Sequence, residues 1–329
     1  MTENENNSMI ESPNASPCTF LDFPLINDLD SFQANVAILG IPFGMPYEPD
    51  SMANDQSRAP DAIRKFTKEN WKDYSFNSVN HFDWDLRGPL LDGRDVKVVD
   101  CGNVTADMSD HRQHYIRAEQ AARKIFNHDA TLITLGGDHG VPIPVMRALE
   151  VFETKVTLVH VDAHLDWRDE INGEKEGYSS PIRRASEMPW IDKIVQIGMR
   201  GIGSARQQEV DDAIAYGATI VDAYEMHDIG IDAILDQIPD NSSYYLTIDA
   251  DGIDPTIMPA VIAQTPGGLS WLQIRKLVHG LVNKGRVLGM DLVEIAPSND
   301  VGKITIIHAE RLICNFIGSC VRAGYYDSK

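Results

Sequence analysis

Beginning near Ala34, the chain alternates short apolar runs, rich in Val and Ile, with longer stretches whose apolar positions recur at helical spacing. Runs at residues 36–39, 96–99, 131–135, 156–161, 194–197, 219–221, 244–248 and 287–293 read as strands. Helices are predicted from Ala59-Pro60 onward, with Pro in the opening turn, and through His114, Arg117, Ala121 and Ile125 after an Asp110 cap. Further helices are predicted over 142–152, over 205–216 closed by Gly217, over 231–238 stopped by Pro239, over 271–282 capped by Ser270, and over 304–321. The strand runs are continuously apolar rather than alternating, as a parallel sheet covered on both faces requires. No internal repeat or low-complexity linker interrupts this α/β pattern, so residues 31–329 are expected to form a single domain. Residues 1–30 open with a polar, acidic stretch that lacks the basic and apolar parts of a secretory signal, and they are expected to be a flexible arm.

Three of the predicted strands run into segments of acid and imidazole: Gly136-Gly137-Asp138-His139, Asp162-Ala163-His164-Leu165-Asp166 and Asp249-Ala250-Asp251. Strand alternation would aim Asp162 together with His164, and Asp249 together with Asp251. Carboxylates gathered at one point repel each other unless cations sit among them. A mixed His/Asp shell for two divalent ions is the solution these residue types suggest, and such pairs serve hydrolysis by activating water. Unrelated turns with capping aspartates would explain one such segment. They explain three poorly, since all three lie at strand ends, where parallel α/β sheets bind their ligands. Oxygen and imidazole donors exclude thiolate zinc and iron–sulfur sites and leave Mn, Ni, Zn, Co or Fe. The carboxylate-rich set suits Mn(II), with Ni(II) open.

Charge narrows the partners. The formal net charge is -20 and no Lys/Arg block stands out, so nucleic acid finds no basic patch. An acidic exterior would weakly concentrate cationic substrates. Cys18, Cys101, Cys314 and Cys320 form no CxxC pair, and reduced thiols in a cytoplasmic protein are expected. No apolar run of about eighteen residues suggests a membrane span.

In their order, Gly-Gly-Asp-His, Asp-Ala-His-x-Asp and Asp-x-Asp-x-x-Asp-Pro resemble the signature of the ureohydrolase family (arginases, agmatinases and related amidinohydrolases). The likeness runs from Gly40-Ile41-Pro42-Phe43 to the final helix. It implies a three-layer αβα, arginase-like fold around a parallel sheet, a binuclear metal centre, and a trimer or hexamer, either homo-oligomeric or shared with a related subunit. Carried onto this chain, it implies one ion held by His139, Asp162, Asp166 and Asp249 and a second by Asp162, His164, Asp249 and Asp251, with Asp162 and Asp249 bridging. A hydroxide between ions roughly 3.5 Å apart would attack a guanidinium carbon, with Asp166 counted among the catalytic residues as well as the ligands. Glu294, in Gly289-Met290-Asp291-Leu292-Val293-Glu294, matches the family's guanidinium-binding glutamate. Asp138 would support the ligands from behind, and Asp254 with Pro255 would fix a loop.

Four stretches depart from the agmatinase pattern. Where agmatinases usually carry His-Gly-Thr-Pro-Phe-Arg-Arg-Ala, this chain has Tyr178-Ser179-Ser180-Pro181-Ile182-Arg183-Arg184-Ala185, which puts Tyr178 at the place of the family's proton-shuttle histidine. A phenol titrates near pH 10 and shuttles protons less readily at neutrality. Ala260-Val261-Ile262-Ala263-Gln264 replaces small polar residues. Trp167 could cover a cationic substrate by cation–π contact, or be an ordinary packed tryptophan. The loop Met45-Pro46-Tyr47-Glu48-Pro49-Asp50 with Asn54-Asp55-Gln56 differs as well. The expectation is the same hydrolysis on a small or N-alkylated guanidine: free guanidine, dimethylguanidine or a biguanide such as metformin. Agmatine or a guanidino acid is the alternative substrate, and a non-catalytic partner subunit the alternative role.

Overall fold

The computed structural model describes residues 9–10, 18–31, 33–48, 54–72, 78–106, 110–203, 205–240 and 242–327. Eight strands form its centre: β1 (Val36–Ile41), β2 (Val98–Asn103), β3 (Thr131–Gly136), β4 (Val156–Val161), β5 (Ile191–Met199), β6 (Thr219–Asp222), β7 (Ser243–Asp249) and β8 (Arg286–Val293). They lie in one sheet in the order β2-β1-β3-β8-β7-β4-β5-β6, and every neighbouring pair is parallel.

Each strand is apolar on both sides because each side meets helices. In β1, Val36 and Ile38 enter one core while Ala37, Leu39 and Ile41 enter the other. The first core takes residues from α1 (Ala59–Lys72), α6 (Ala223–Gln237), α7 (Trp271–Lys284) and α8 (Ile304–Arg322). The second takes residues from α2 (His111–Asn127), α3 (Pro142–Ala148), α4 (Pro181–Ser186) and α5 (Gln207–Tyr216). The result is the three-layer arrangement expected of an arginase-like fold, with burial stabilising each large apolar side chain by about 1.5–3 kcal/mol.

Differences from the sequence expectations have local causes. β2 starts two residues later and extends to Asn103, because its polar Asp100 is buried against Arg64, with both carboxylate oxygens 2.9 Å from the guanidinium. α6 begins at Ala223 under an Asp222 cap. Gly230, at φ 77°, is a break inside it and not its start. α4 is six residues long, too short for periodicity to reveal it. The expected loose arm is corrected in part: residues 1–8 and 11–17 lie outside the described residues, but Phe20 and Leu29 are buried and Ile26 N–H bonds to Asp100 O at 2.8 Å. Pro49 and Asp50 also lie outside the described residues. Among the described residues, Val301–Arg322 is the one helical stretch long and apolar enough to cross a membrane, and 78% of its most apolar window is buried inside the fold. It carries Glu310, Arg311 and Asn315 and serves as a core helix.

Candidate metal centre

β3, β8, β7 and β4 are consecutive in the sheet, so their carboxyl ends open at one place. His139 follows β3, Glu294 follows β8, Asp249 closes β7 and Asp162 follows β4. Register pairs Val161 with Ile248 and Asp249 with Val293, so the acidic segments leave the sheet level with one another. Two glycines permit the closeness: a Cβ at Gly137 would lie 2.1 Å from Pro42 O, and one at Gly252 would lie 2.6 Å from the Asp162 nitrogen. Asp166 at φ 52° and Glu294 at φ 64° sit in the left-handed region, which costs such residues on the order of 1–2 kcal/mol and is held by the surrounding packing.

Strand alternation is not what brings the ligands together, because β4 ends at Val161 and β7 at Asp249. Turns do it. Asp162 Oδ1 accepts the His164 N–H at 2.5 Å, and Asp249 Oδ1 accepts the Asp251 N–H at 2.7 Å. Each leading aspartate thus folds the chain so that the donor two residues on comes alongside it.

All six side chains meet. Nδ1 of His139 lies 2.9 Å from Asp162 Oδ2, 3.1 Å from Asp166 Oδ2 and 3.2 Å from Asp249 Oδ2. Nδ1 of His164 lies 3.2 Å from Asp162 Oδ1 and 3.2 Å from Asp251 Oδ2. Asp162 therefore faces both imidazoles, one oxygen to each. Asp249 faces His139 with Oδ2 and gives Oδ1 to the turn. Five of the six residues are at most 6% exposed, and the side chain of His164, 25% exposed, marks the opening to solvent.

The electrostatics ask for two cations. Burial opposes charge on His139, but Asp162, Asp166 and Asp249 outweigh it and hold the imidazole well above its ordinary value. Against burial, Asp162 and Asp251 push His164 up to about 12. Burial, then Asp251 and Asp162, raise Asp249 well above the carboxylate range; burial and Asp162 raise Asp166 and Asp251. Asp162 is held low, since His139 and His160 outweigh its burial. A divalent ion at each Nδ1 would supply the positive charge that a proton otherwise supplies, so the donor set fits two metals. Loading with Mn(II) is therefore expected to expel protons and to tighten as pH rises through neutrality, since His164 holds its proton up to about 12. Calorimetry in buffers of different ionisation enthalpy would read the release, and a pH-independent affinity would contradict it.

Beneath the six donors lies a buried polar row that the sequence reading missed. Thr134, Asp291, Thr247, His160 and Gln196 come from β3, β8, β7, β4 and β5, and register pairs each with the next. All five are fully buried. Thr247 gives its one hydroxyl hydrogen to Asp291 Oδ1 at 2.7 Å, so it accepts the Nε2–H of His139 at 3.0 Å. That leaves the Nδ1 lone pair of His139 aimed at the acids, where this buried atom has no aligned hydrogen-bond partner, as a metal-binding imidazole requires. His160 lies among the first group of donors. Its Nδ1 faces Gln196 Nε2 at 3.1 Å, an amide oriented by a second bond to Leu165 O at 2.8 Å, so Nε2–H donates to Asp162 Oδ2 at 2.9 Å. His160 therefore steadies Asp162, and with both ring nitrogens hydrogen-bonded it keeps no free lone pair in this arrangement. Arg200, also missed, ties the Asp251 turn to β5 and to the loop at 265–266 by donating to the carbonyls of Asp251 at 2.6 Å, Gly198 at 3.0 Å and Thr265 at 2.7 Å.

Glu294 stands beside these donors. Its Oε1 accepts the His139 N–H at 2.8 Å and its Oε2 accepts Gln56 Nε2–H at 2.9 Å. Burial, and then Asp138, push its carboxyl up to about 8. Asp138 braces the His139 turn, accepting the Gly140 N–H at 2.9 Å and Asn54 Nδ2–H at 3.3 Å. Asp254 fixes its loop by accepting the N–H groups of Thr256, Gly267 and Gly268 at 2.9, 2.8 and 3.2 Å.

One expected substrate contact is placed differently. Trp167 is 2% exposed and packs against Tyr216 of α5 with ring centroids 5.6 Å apart, so it is a core tryptophan with no face open to a cation. Val261 is likewise turned into the core, and Ile262 points out, 61% exposed. Tyr178 is 47% exposed and meets Tyr47 edge-on at 4.8 Å. Burial, Tyr47 and Glu294 raise its phenol above the ordinary value, so it holds its proton firmly. Tyr178→Phe is expected to keep kcat within about threefold. A fall of about a hundredfold, the usual worth of a general acid–base group, would instead give Tyr178 the proton-shuttle role.

This fold and donor set can be compared with known proteins. Residues 34–318 match the Arginase family. An agmatinase of Citrobacter koseri is 32% identical over 301 residues, covering 89% of this chain and 90% of that protein. Proclavaminate amidino hydrolase from Streptomyces clavuligerus superposes with a TM-score of 0.77 at 25% identity, over 95% of this chain and 100% of that one. A hypothetical agmatinase from Burkholderia thailandensis does so with the same TM-score and identity over 98% of each chain. The chain belongs to the arginase family, hydrolases that act on C–N bonds of amidines. Within it the chain is agmatinase-like. The family uses a binuclear metal centre, and the His/Asp clusters here are able to bind metal.

Proposed function

We propose that this protein cleaves a C–N bond of a small or N-alkylated guanidine, with Glu294 receiving the guanidinium beside two divalent ions, Mn(II) or Ni(II). The observation that carries the reading is the Glu294 carboxylate, fixed through both oxygens next to six metal donors. One ion would be held by His139, Asp162, Asp166 and Asp249, the other by Asp162, His164, Asp249 and Asp251. When bound, such a pair supplies activated water at neutral pH. The chain's own residues do the rest. Glu294 sets the plane of the cation, Thr247 and His160 keep His139 and Asp162 oriented, and burial excludes bulk water from five of the six donors. Tyr47 and Tyr178 form the outer wall.

A small substrate is favoured by Gln56, whose amide already stands against Glu294. Agmatine is the second reading, favoured by 32% identity to an agmatinase over 89% of the chain. A matrix of Mn(II) and Ni(II) against guanidine, dimethylguanidine, metformin and agmatine separates them. Urea or guanylurea with ammonia or an amine from the first three supports the proposal, and putrescine from agmatine alone overturns it in favour of the second. We further place the protein in the cytoplasm, where its four free cysteines stay reduced, as a trimer or hexamer of one chain or of this chain with a related subunit.

A further inference from the structure

We propose that Gln56 determines which guanidines Glu294 accepts, an inference that rests on the reading of Glu294 as the carboxylate receiving the cation. Gln56 opens the short turn Gln56–Arg58 in front of α1 and is 8% exposed. Its Nε2–H ends on Glu294 Oε2 at 2.9 Å, while the His139 N–H takes Oε1 at 2.8 Å. Two donors on two different oxygens fix the carboxylate plane.

The backbone of the turn that carries Gln56 is set independently of that bond. Asp55 accepts the Ser298 N–H and hydroxyl at 2.8 Å each, and Arg58 donates to Ser298 Oγ at 2.8 Å while pairing with Asp55 at 2.9 Å. Ser57 closes on Asn54 through its N–H at 3.0 Å and its hydroxyl at 2.6 Å. The turn is thereby joined to the segment just after Glu294 itself. The backbone that carries Gln56 is therefore anchored four residues from the carboxylate its amide touches, and the side chain, 8% exposed, has little open space to turn into.

Each Glu294 oxygen gives one lone pair to the protein and keeps another for a ligand. A guanidinium pairing in the carboxylate plane sets one nitrogen at Oε2, beside the Gln56 amide. An N–H fits there, whereas an alkyl group on that nitrogen meets the amide. Substituents are therefore confined to nitrogens turned away from Oε2, and selection works by exclusion.

The test is binding, read by calorimetry on Mn(II)-loaded protein, of guanidinium and of N,N′,N″-trimethylguanidinium. In the latter every nitrogen carries one methyl beside its one hydrogen, so whichever nitrogen pairs with Oε2 brings a methyl to that side of the carboxylate. Wild type is expected to prefer guanidinium. Gln56→Ala, which removes the wall, is expected to shift the ratio of dissociation constants at least about tenfold toward the methylated cation. Gln56→Met, of similar bulk but without a donor, is expected to weaken both and keep the ratio within about twofold. Gln56→Ser replaces the alanine variant if that one is unstable. A ratio unchanged in the alanine or serine variant, with wild type binding guanidinium, overturns the role of Gln56 alone. Wild type that binds neither cation overturns it together with the reading of Glu294.

Discussion

Asp162→Asn should remove hydrolysis almost completely, by at least about a thousandfold, and lower the metal content from two ions per chain to one or fewer. No other donor faces both imidazoles, with Oδ2 2.9 Å from His139 Nδ1 and Oδ1 3.2 Å from His164 Nδ1. The substitution removes a charge that both ion positions share. It also has no good orientation. Oδ2 accepts the Nε2–H of His160 at 2.9 Å and Oδ1 accepts the N–H of His164 at 2.5 Å. An amide NH2 turned either way meets another donor at a side chain with no exposed surface, an arrangement that costs about 1–3 kcal/mol of stability on its own. Metal analysis, a melting curve and steady-state turnover on the same preparation would check this. A folded variant with two ions and turnover within tenfold of wild type would remove Asp162 from the centre of the proposed site.

The donors were legible in the sequence because each belongs to a short segment in which acid and imidazole follow an apolar run. His139, Asp162, His164, Asp166, Asp249 and Asp251 converge as that pattern suggested. The reason offered for their convergence was wrong: side-chain-to-backbone turns replace strand alternation after Val161 and Asp249. The supporting row was not legible. Thr247 and Asp291 are neighbours only because β7 lies beside β8, and His160 meets Gln196 only because β4 lies beside β5. Strand order carries that information, and no local spacing encodes it. Trp167 illustrates the opposite error. Its position after Asp166 suggested a substrate contact, but the left-handed backbone at Asp166 is followed by a side chain packed on α5, in the core. Gln56 was visible only as part of a divergent loop. Its meaning comes from a partner 238 positions away.

Glu294→Gln should lower kcat/KM about a hundredfold to a thousandfold while leaving both ions in place. The substitution is nearly isosteric, and its neighbours can accommodate it. The new amide oxygen can still accept the His139 N–H now made at 2.8 Å, and Gln56 can rotate its own amide to present oxygen to the new NH2. The backbone bond from Glu294 N–H to Gly137 O, 2.8 Å, is untouched, so the turn that carries His139 keeps its shape. On the proposed reading, what disappears is the negative charge that a bound guanidinium draws from a carboxyl otherwise pushed up to about 8. Removing one partner of a buried charge pair costs about 2–5 kcal/mol, which sets the size of the fall. Because the charge pairs with the substrate both before and during reaction, the loss should fall mainly on KM, with kcat less affected. This separates Glu294 from the donors, whose loss is expected to lower the metal content. Unchanged metal content with weakened binding of guanidinium is the expected signature. A variant that loses metal would make Glu294 part of the ion-binding shell, and one that keeps wild-type affinity for guanidinium would mean that the cation binds elsewhere.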